Sequence, residues 1–226
     1  DGKTHIDLIS GISVSSLGHG HPVVKKAITD QLDKASFVMV YGEMVLPPQV
    51  EFAENLVSKL PANLNSVYFV NSGSEVVEGA MKLAKRYTGR PNIIGLNKAY
   101  HGSSHGALSL MGEESFKSAF RPLLPGISHL EPEDVNDLEL IDHNTAAVFV
   151  EPIQGEAGCR VLSSEYLKAL ELKCNEVGAL LVFDEIQTGY GRTGSLYYFE
   201  QLGIVPDILL TAKAFGGGMP IGAFIA

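Results

Sequence analysis

A lysine, two adjacent acids and a run of glycines carry the chemistry of this chain. Residues 179–183 are apolar enough for a buried strand, which ends on Asp184 and Glu185. A second apolar stretch, 208–210, leads to Lys213, the only lysine beyond Lys173, and Gly216, Gly217 and Gly218 follow it. Strand ends that meet at a common edge are where open α/β sheets hold their ligands. An amine that condenses with an aldehyde, together with a carboxylate that holds a protonated ring nitrogen, answers the two demands of pyridoxal phosphate.

The elements upstream supply positions for such a ligand. Residues 67–70 read as a strand and 75–87 as a helix, joined by Asn71-Ser72-Gly73-Ser74. A strand that feeds a helix through a small turn aims unpaired N–H groups at an anion, and the helix dipole favours negative charge there. The same residues also read as a plain cap, with Ser72 or Ser74 backed by Glu75 or Glu78. A further strand, 92–96, runs into Tyr100-His101-Gly102, where the tyrosine ring suits either a flat heteroaromatic ligand or the core. Residues 146–150 form a buried strand ending at Glu151-Pro152-Ile153-Gln154-Gly155-Glu156, whose acids taken alone read as a solvated turn. Helices are expected over 21–34, 47–60, 134–141 and 163–177.

Five blocks then stand in order: Leu17-Gly18-His19-Gly20-His21-Pro22, Asn71 to Glu75, Tyr100-His101-Gly102, Glu151 to Glu156, and the 184–194 run with Lys213. Together they resemble the class III aminotransferases, pyridoxal-phosphate enzymes that include acetylornithine, ornithine and 4-aminobutyrate transaminases. The resemblance covers effectively the whole chain. It implies the fold type I large domain: an α/β, three-layer α/β/α arrangement around a mainly parallel seven-stranded sheet. It implies that Lys213 forms the Schiff base and that Asp184 holds the pyridine nitrogen. It places Ser72, Gly73 and Ser74 at the phosphate, Tyr100 on one face of the ring, His101 behind Asp184 and Gln187 near the phenolic oxygen. Strand alternation puts Val182 on the face of Asp184, under the ring. Glu156 is implied to meet an arginine of the C-terminal domain. Small-molecule amine and 2-oxo acid substrates are implied, as is a homodimer whose active sites the neighbouring subunit completes.

Two positions depart from that pattern. Ser103 stands where relatives usually carry an arginine that grips a substrate carboxylate, and a serine cannot form a charge-assisted fork. Ile12 falls where diamine-handling relatives tend to place an aromatic residue. Both bear on the substrate rather than on the cofactor.

Composition narrows the remaining classes. A formal charge of −9, with no run of more than two basic residues, argues against a nucleic-acid partner. No apolar run reaches the ~18 residues that span a bilayer, and no signal peptide opens the chain, so a cytoplasmic protein is expected. Cys159 and Cys174 read as reduced thiols, and His19 and His21 as residues of a Gly-rich turn; no metal is expected. The expected division is an N-terminal segment over 1–50 and a cofactor-binding domain over 51–226, with the family's C-terminal small domain outside the chain. Competing readings are an aminomutase of the glutamate-semialdehyde type, whose members usually lack the run at 187–194, and a non-catalytic domain of the same fold. A nucleotide-binding α/β protein ranks last, because neither GxGxxG nor GxxxxGK[ST] occurs.

Overall fold

The computed structural model describes residues 2–35, 39, 42 and 44–226. Nine strands are present among them: β1 (Val67–Val70), β2 (Asn92–Leu96), β3 (Ile127–Leu130), β4 (Thr145–Val150), β5 (Ile153–Gln154), β6 (Arg160–Val161), β7 (Leu180–Asp184), β8 (Ile208–Thr211) and β9 (Gly222–Ile225). Seven form one sheet in the order β1-β9-β8-β7-β4-β2-β3, and β5 pairs with β6 in a small ribbon. Strands β8, β7, β4, β2 and β3 pair in parallel, while β9 runs antiparallel to both of its neighbours. The carboxyl ends of β1, β2, β4, β7 and β8 therefore open onto one edge.

Two apolar layers cover the sheet, one on each face. Phe149, Val182, Ile208 and Leu210 pack beneath Val76, Val77, Ala80 and Met81 of the helix Gly73–Thr88. Val148, Val150, Leu181, Phe183 and Leu209 face the other way, toward Tyr166, Leu167 and Leu170 of the helix Ser164–Val177. Burying each such aliphatic side chain contributes about 1.5–3 kcal/mol. Alternation along β4 and β7 sorts these side chains between the two layers.

The helix Gly73–Thr88 is fixed at both ends. Ser72 Oγ accepts from the Glu75 N–H at 3.2 Å, and Glu75 Oε2 accepts from the Asn71 N–H at 2.7 Å, a reciprocal cap. Gly89 closes the other end in the left-handed conformation at φ 70°. Its middle lies so close to β9 that a Cβ on Gly79 would enter the Phe224 ring.

The helix expected over 134–141 is a 3-10 turn, Val135–Leu140, started by Asp134 accepting from the Asn136 N–H. The expectation over 47–60 ends earlier, at Val57. Helix Pro22–Lys34 has the predicted length but buries none of its residues.

Candidate active site

A cavity of about 420 Å³ opens at the carboxyl edge of the sheet. The loops after β1, β2, β4, β7 and β8 all reach it. Ser72, Gly73, Ser74, Tyr100, His101, Glu156, Asp184, Gln187 and Lys213 line it together, although up to 141 positions separate them in sequence. Asn71, Glu151, Ile186 and Val14 also contribute, as does the turn Gly218 to Ile221.

The floor is a buried acid–imidazole pair. Asp184 Oδ2 lies 2.7 Å from His101 Nδ1, and Asp184 Oδ1 accepts from the Ile186 N–H at 3.1 Å. Both residues are almost wholly buried. Burial works against a charge on His101, but the hydrogen bond and charge of Asp184, with Glu151 adding to them, hold its pKa above the ordinary value. His101 Nε2 has no hydrogen-bond partner among the described residues.

On the β1 side, the cap reading holds, and the cap leaves two backbone donors free. Ser72 caps the helix, and the N–H groups of Gly73 and Ser74, at its first two positions, find no partner among the described residues. Those groups lie at the positive end of a 16-residue helix and line the cavity. The approach is tight: a Cβ on Gly73 would stand 3.2 Å from Ile186 Cδ1, and one on Gly102 would overlap Ser74 Oγ.

Lys213 enters from the end of β8 with φ 51°, in the left-handed region, where a residue bearing a Cβ is strained. Tyr100 stands edge-on to Phe116 at 6.0 Å and its N–H donates to Glu151 Oε2 at 2.8 Å. The Gln187 carboxamide lies against the bare Cα of Gly155, where a Cβ would collide with it.

Two of the expected site residues, Val182 and Ile12, do not line the cavity. Val182 does share the face of Asp184, but it lies deeper in the strand, fully buried under the helix Gly73–Thr88, and does not line the cavity. Ile186 lines it instead, because the turn after β7, closed by its N–H on Asp184, brings that side chain round. Ile12 is 60% exposed and outside the cavity; Val14 is the residue of that segment that reaches it. Ser103 is exposed, donates its N–H to Ser74 Oγ at 3.2 Å, and lines a neighbouring pocket of about 250 Å³ with Tyr100, Phe116 and Phe120. Glu151, which alone suggested a solvated turn, is buried.

Fold and site together define an α/β domain that gathers an amine, a buried carboxylate and two unpaired helix N–H groups at the carboxyl ends of parallel strands. The chain belongs to the class-III aminotransferase family, whose model matches residues 1–226. It is 44% identical to the acetylornithine aminotransferase of Methanopyrus kandleri, covering 100% of this chain and 58% of that protein. It is 40% identical to the [LysW]-aminoadipate semialdehyde/glutamate semialdehyde transaminase of Sulfolobus acidocaldarius, covering 98% and 57%. Among solved structures, a transaminase from the marine bacterium Virgibacillus superposes with a TM-score of 0.94 at 30% identity, covering 100% of this chain and 55% of that one. The ornithine aminotransferase of Toxoplasma gondii, crystallised with partial occupancy of PLP at its active site, gives 0.88 at 33% identity, covering 98% and 54%. The chain thus spans somewhat more than half the length of these relatives. Its mostly parallel sheet between helical layers is the fold type I α/β arrangement.

Proposed function

We propose that this chain is the cofactor-holding part of a transaminase that uses pyridoxal phosphate to move an amino group from an amine or ω-amino acid to a 2-oxo acid such as 2-oxoglutarate or pyruvate, by a ping-pong mechanism. The observation that carries the reading is one cavity holding Lys213, the Asp184–His101 pair and the unpaired N–H groups of Gly73 and Ser74. These residues fit the cofactor: the N–H pair suits its phosphate, the buried carboxylate its ring nitrogen and the amine its aldehyde. When bound, the group supplies an electron sink for the carbon that gains or loses nitrogen.

The chain's own residues do the rest. Lys213 Nζ would be the attachment point for the aldehyde and, as a free amine, a base able to move a proton at the amino-bearing carbon. Asp184 would hold a proton on the ring nitrogen, and His101, bonded to Asp184 Oδ2, fixes the orientation of the carboxylate. Ile186 and Tyr100, which line the cavity, would cover the faces of a flat ring, and Gln187 would meet its phenolic oxygen. Glu156 is the acid that answers an arginine outside this chain. Ser103, through the pocket beside Tyr100, is the position that sets this substrate range apart.

The ω-amino acid assignment draws support from the names of the acetylornithine and semialdehyde transaminases to which the chain is similar. The same reading takes residues 51–226 as the large domain, completed by a small C-terminal domain and by a second subunit of a cytoplasmic homodimer. No helix among the described residues is long and apolar enough to cross a membrane.

The test is an absorbance titration of the full-length protein with pyridoxal phosphate, followed by a panel of amines. A lysine-linked band that bleaches with ω-amino acids and returns with a 2-oxo acid is the expected result. Lys213→Ala abolishes the band and lowers turnover by about 10²–10⁴-fold or more. Retention of full turnover without Lys213 defeats the assignment.

A further inference from the structure

Glu151 has no assigned task in the reaction, yet it is among the most constrained acids in the molecule. It follows the last residue of β4, and Pro152 after it favours an extended backbone at that point. In the parallel register of β4 with β7, Phe149 faces Val182 and Val150 faces Phe183. Glu151 follows one step past the end of β4, near enough for the charge of Asp184, the last residue of β7, to act on it. Both acids line the cavity, and the His101 imidazole is the counter-charge for both.

Its oxygens are committed to the walls. Oε2 accepts from the Tyr100 N–H at 2.8 Å, and Oε1 accepts from the Gly155 N–H at 3.3 Å. Gly155 is in turn the backbone against which Gln187 packs. One buried side chain therefore joins the Tyr100 wall, the Gln187 wall and the acid–imidazole floor. A group that served only to fill space would not need to be an acid, since an unpaired buried carboxylate is costly. Burial, opposed by the His101 charge and reinforced by that of Asp184, pushes the Glu151 carboxyl up to about 7.

We propose that Glu151 is the positioning residue of this site, holding Tyr100 and, through Gly155, Gln187 at a fixed distance from the Asp184–His101 pair. The proposal rests on the transaminase reading only for the identity of the ligand; the tie between the walls is a property of the protein without it. The charged groups that share its surroundings are His101 after β2, Asp184 at the end of β7, Lys213 after β8 and Glu156 in the following turn.

Glu151→Gln separates the outcomes. The amide keeps the shape but offers one acceptor where the acid offers two, so one of the Tyr100 and Gly155 N–H groups loses its partner. In full-length protein without ligand, hydrogen exchange at Tyr100 or Gly155 is expected to quicken by about 5- to 100-fold, with the helix Gly73–Thr88 unchanged. Pyridoxal phosphate affinity is expected to weaken by a similar factor, and an inflection near pH 7 in the wild-type affinity profile to disappear. Glu151→Asp, too short to span both N–H groups, is expected to keep the pH inflection but not the affinity. Unchanged exchange at both amides overturns the proposal, as does a wild-type affinity profile in Glu151→Gln. If wild-type protein binds no pyridoxal phosphate, the transaminase reading falls, and the exchange measurement still decides for or against Glu151.

Discussion

Asp184 and Glu185 are neighbours in sequence, both acids, and both buried, at 4% and 0% exposure. The fold uses them in opposite ways. Asp184 faces the cavity, meets one imidazole and one N–H, and keeps part of its surface open to a ligand. Glu185 faces away and is saturated: its oxygens accept from Thr188 Oγ1 at 3.0 Å, the Tyr198 N–H at 2.6 Å and the Phe199 N–H at 2.8 Å. It thereby pins the loop 186–198 and starts the short helix Phe199–Leu202. Asp184, the last residue of β7, is turned toward chemistry, and Glu185, the first residue of the turn that follows, toward architecture.

The sharpest way to break that contrast is to exchange the defects. Asp184→Asn is expected to lower turnover by about 10²–10³-fold, since an amide cannot hold a proton on the ring nitrogen, while costing under about 1 kcal/mol of stability. Glu185→Ala strands three donors, two of them buried, and is expected to cost on the order of 3 kcal/mol, a fall in Tm of roughly 6–12 °C. Its turnover per folded molecule, measured below the new Tm, should stay within about tenfold of wild type. Kinetics and thermal melts on both variants settle it. Equal losses of stability, or equal losses of turnover, would show that the two acids do not divide the work.

The next contrast lies along the cavity side itself. Val182 and Ile186 flank Asp184 two residues either way, and only Ile186 reaches the ligand space. Val182→Ala opens a hole beneath the helix Gly73–Thr88 and is expected to cost about 2 kcal/mol while leaving pyridoxal phosphate affinity unchanged. Ile186→Ala is expected to do the reverse, weakening affinity by about tenfold with the smaller stability loss of a half-buried site. Titration and melts on the pair decide which residue forms the ring's floor.

That pair also marks where the sequence stopped being informative. The strands ending at Val70, Leu96, Val150 and Asp184, and the motif residues that follow them, were legible because apolar runs end abruptly on polar residues. Which side of Asp184 supplies the hydrophobic floor was not, because alternation holds only while the strand lasts, and β7 ends at Asp184 itself. Glu151 illustrates the same limit at longer range: its place beside Asp184 depends on a strand register between residues 33 positions apart in sequence. Strand β3 went unseen because Ser128 and His129 interrupt its apolar pattern. The edge position of β3 leaves room for both.

The smallest effect concerns the charge on the architectural side. Burial pushes the Glu185 carboxyl up to about 7, against the pull of its three donors and with the charge of Glu200 adding to the rise. The folded protein therefore binds this proton more tightly than the unfolded chain, whose glutamates titrate near ~4.3. The stabilisation is fully present below the unfolded value and is lost as pH rises through about 7. Glu151 and His101 act in the same direction, while His129, held low chiefly by burial, acts in the opposite one. A bare melt of the wild type thus mixes several groups, and the informative quantity is its difference from Glu185→Gln. That difference is expected to change between pH 5 and pH 8, with the glutamine variant gaining on the wild type as the pH rises, because it never has to bury a charge. A difference that stays flat across this range would mean that Glu185 keeps an ordinary carboxylate pKa, and that its three donors, not its burial, set its charge.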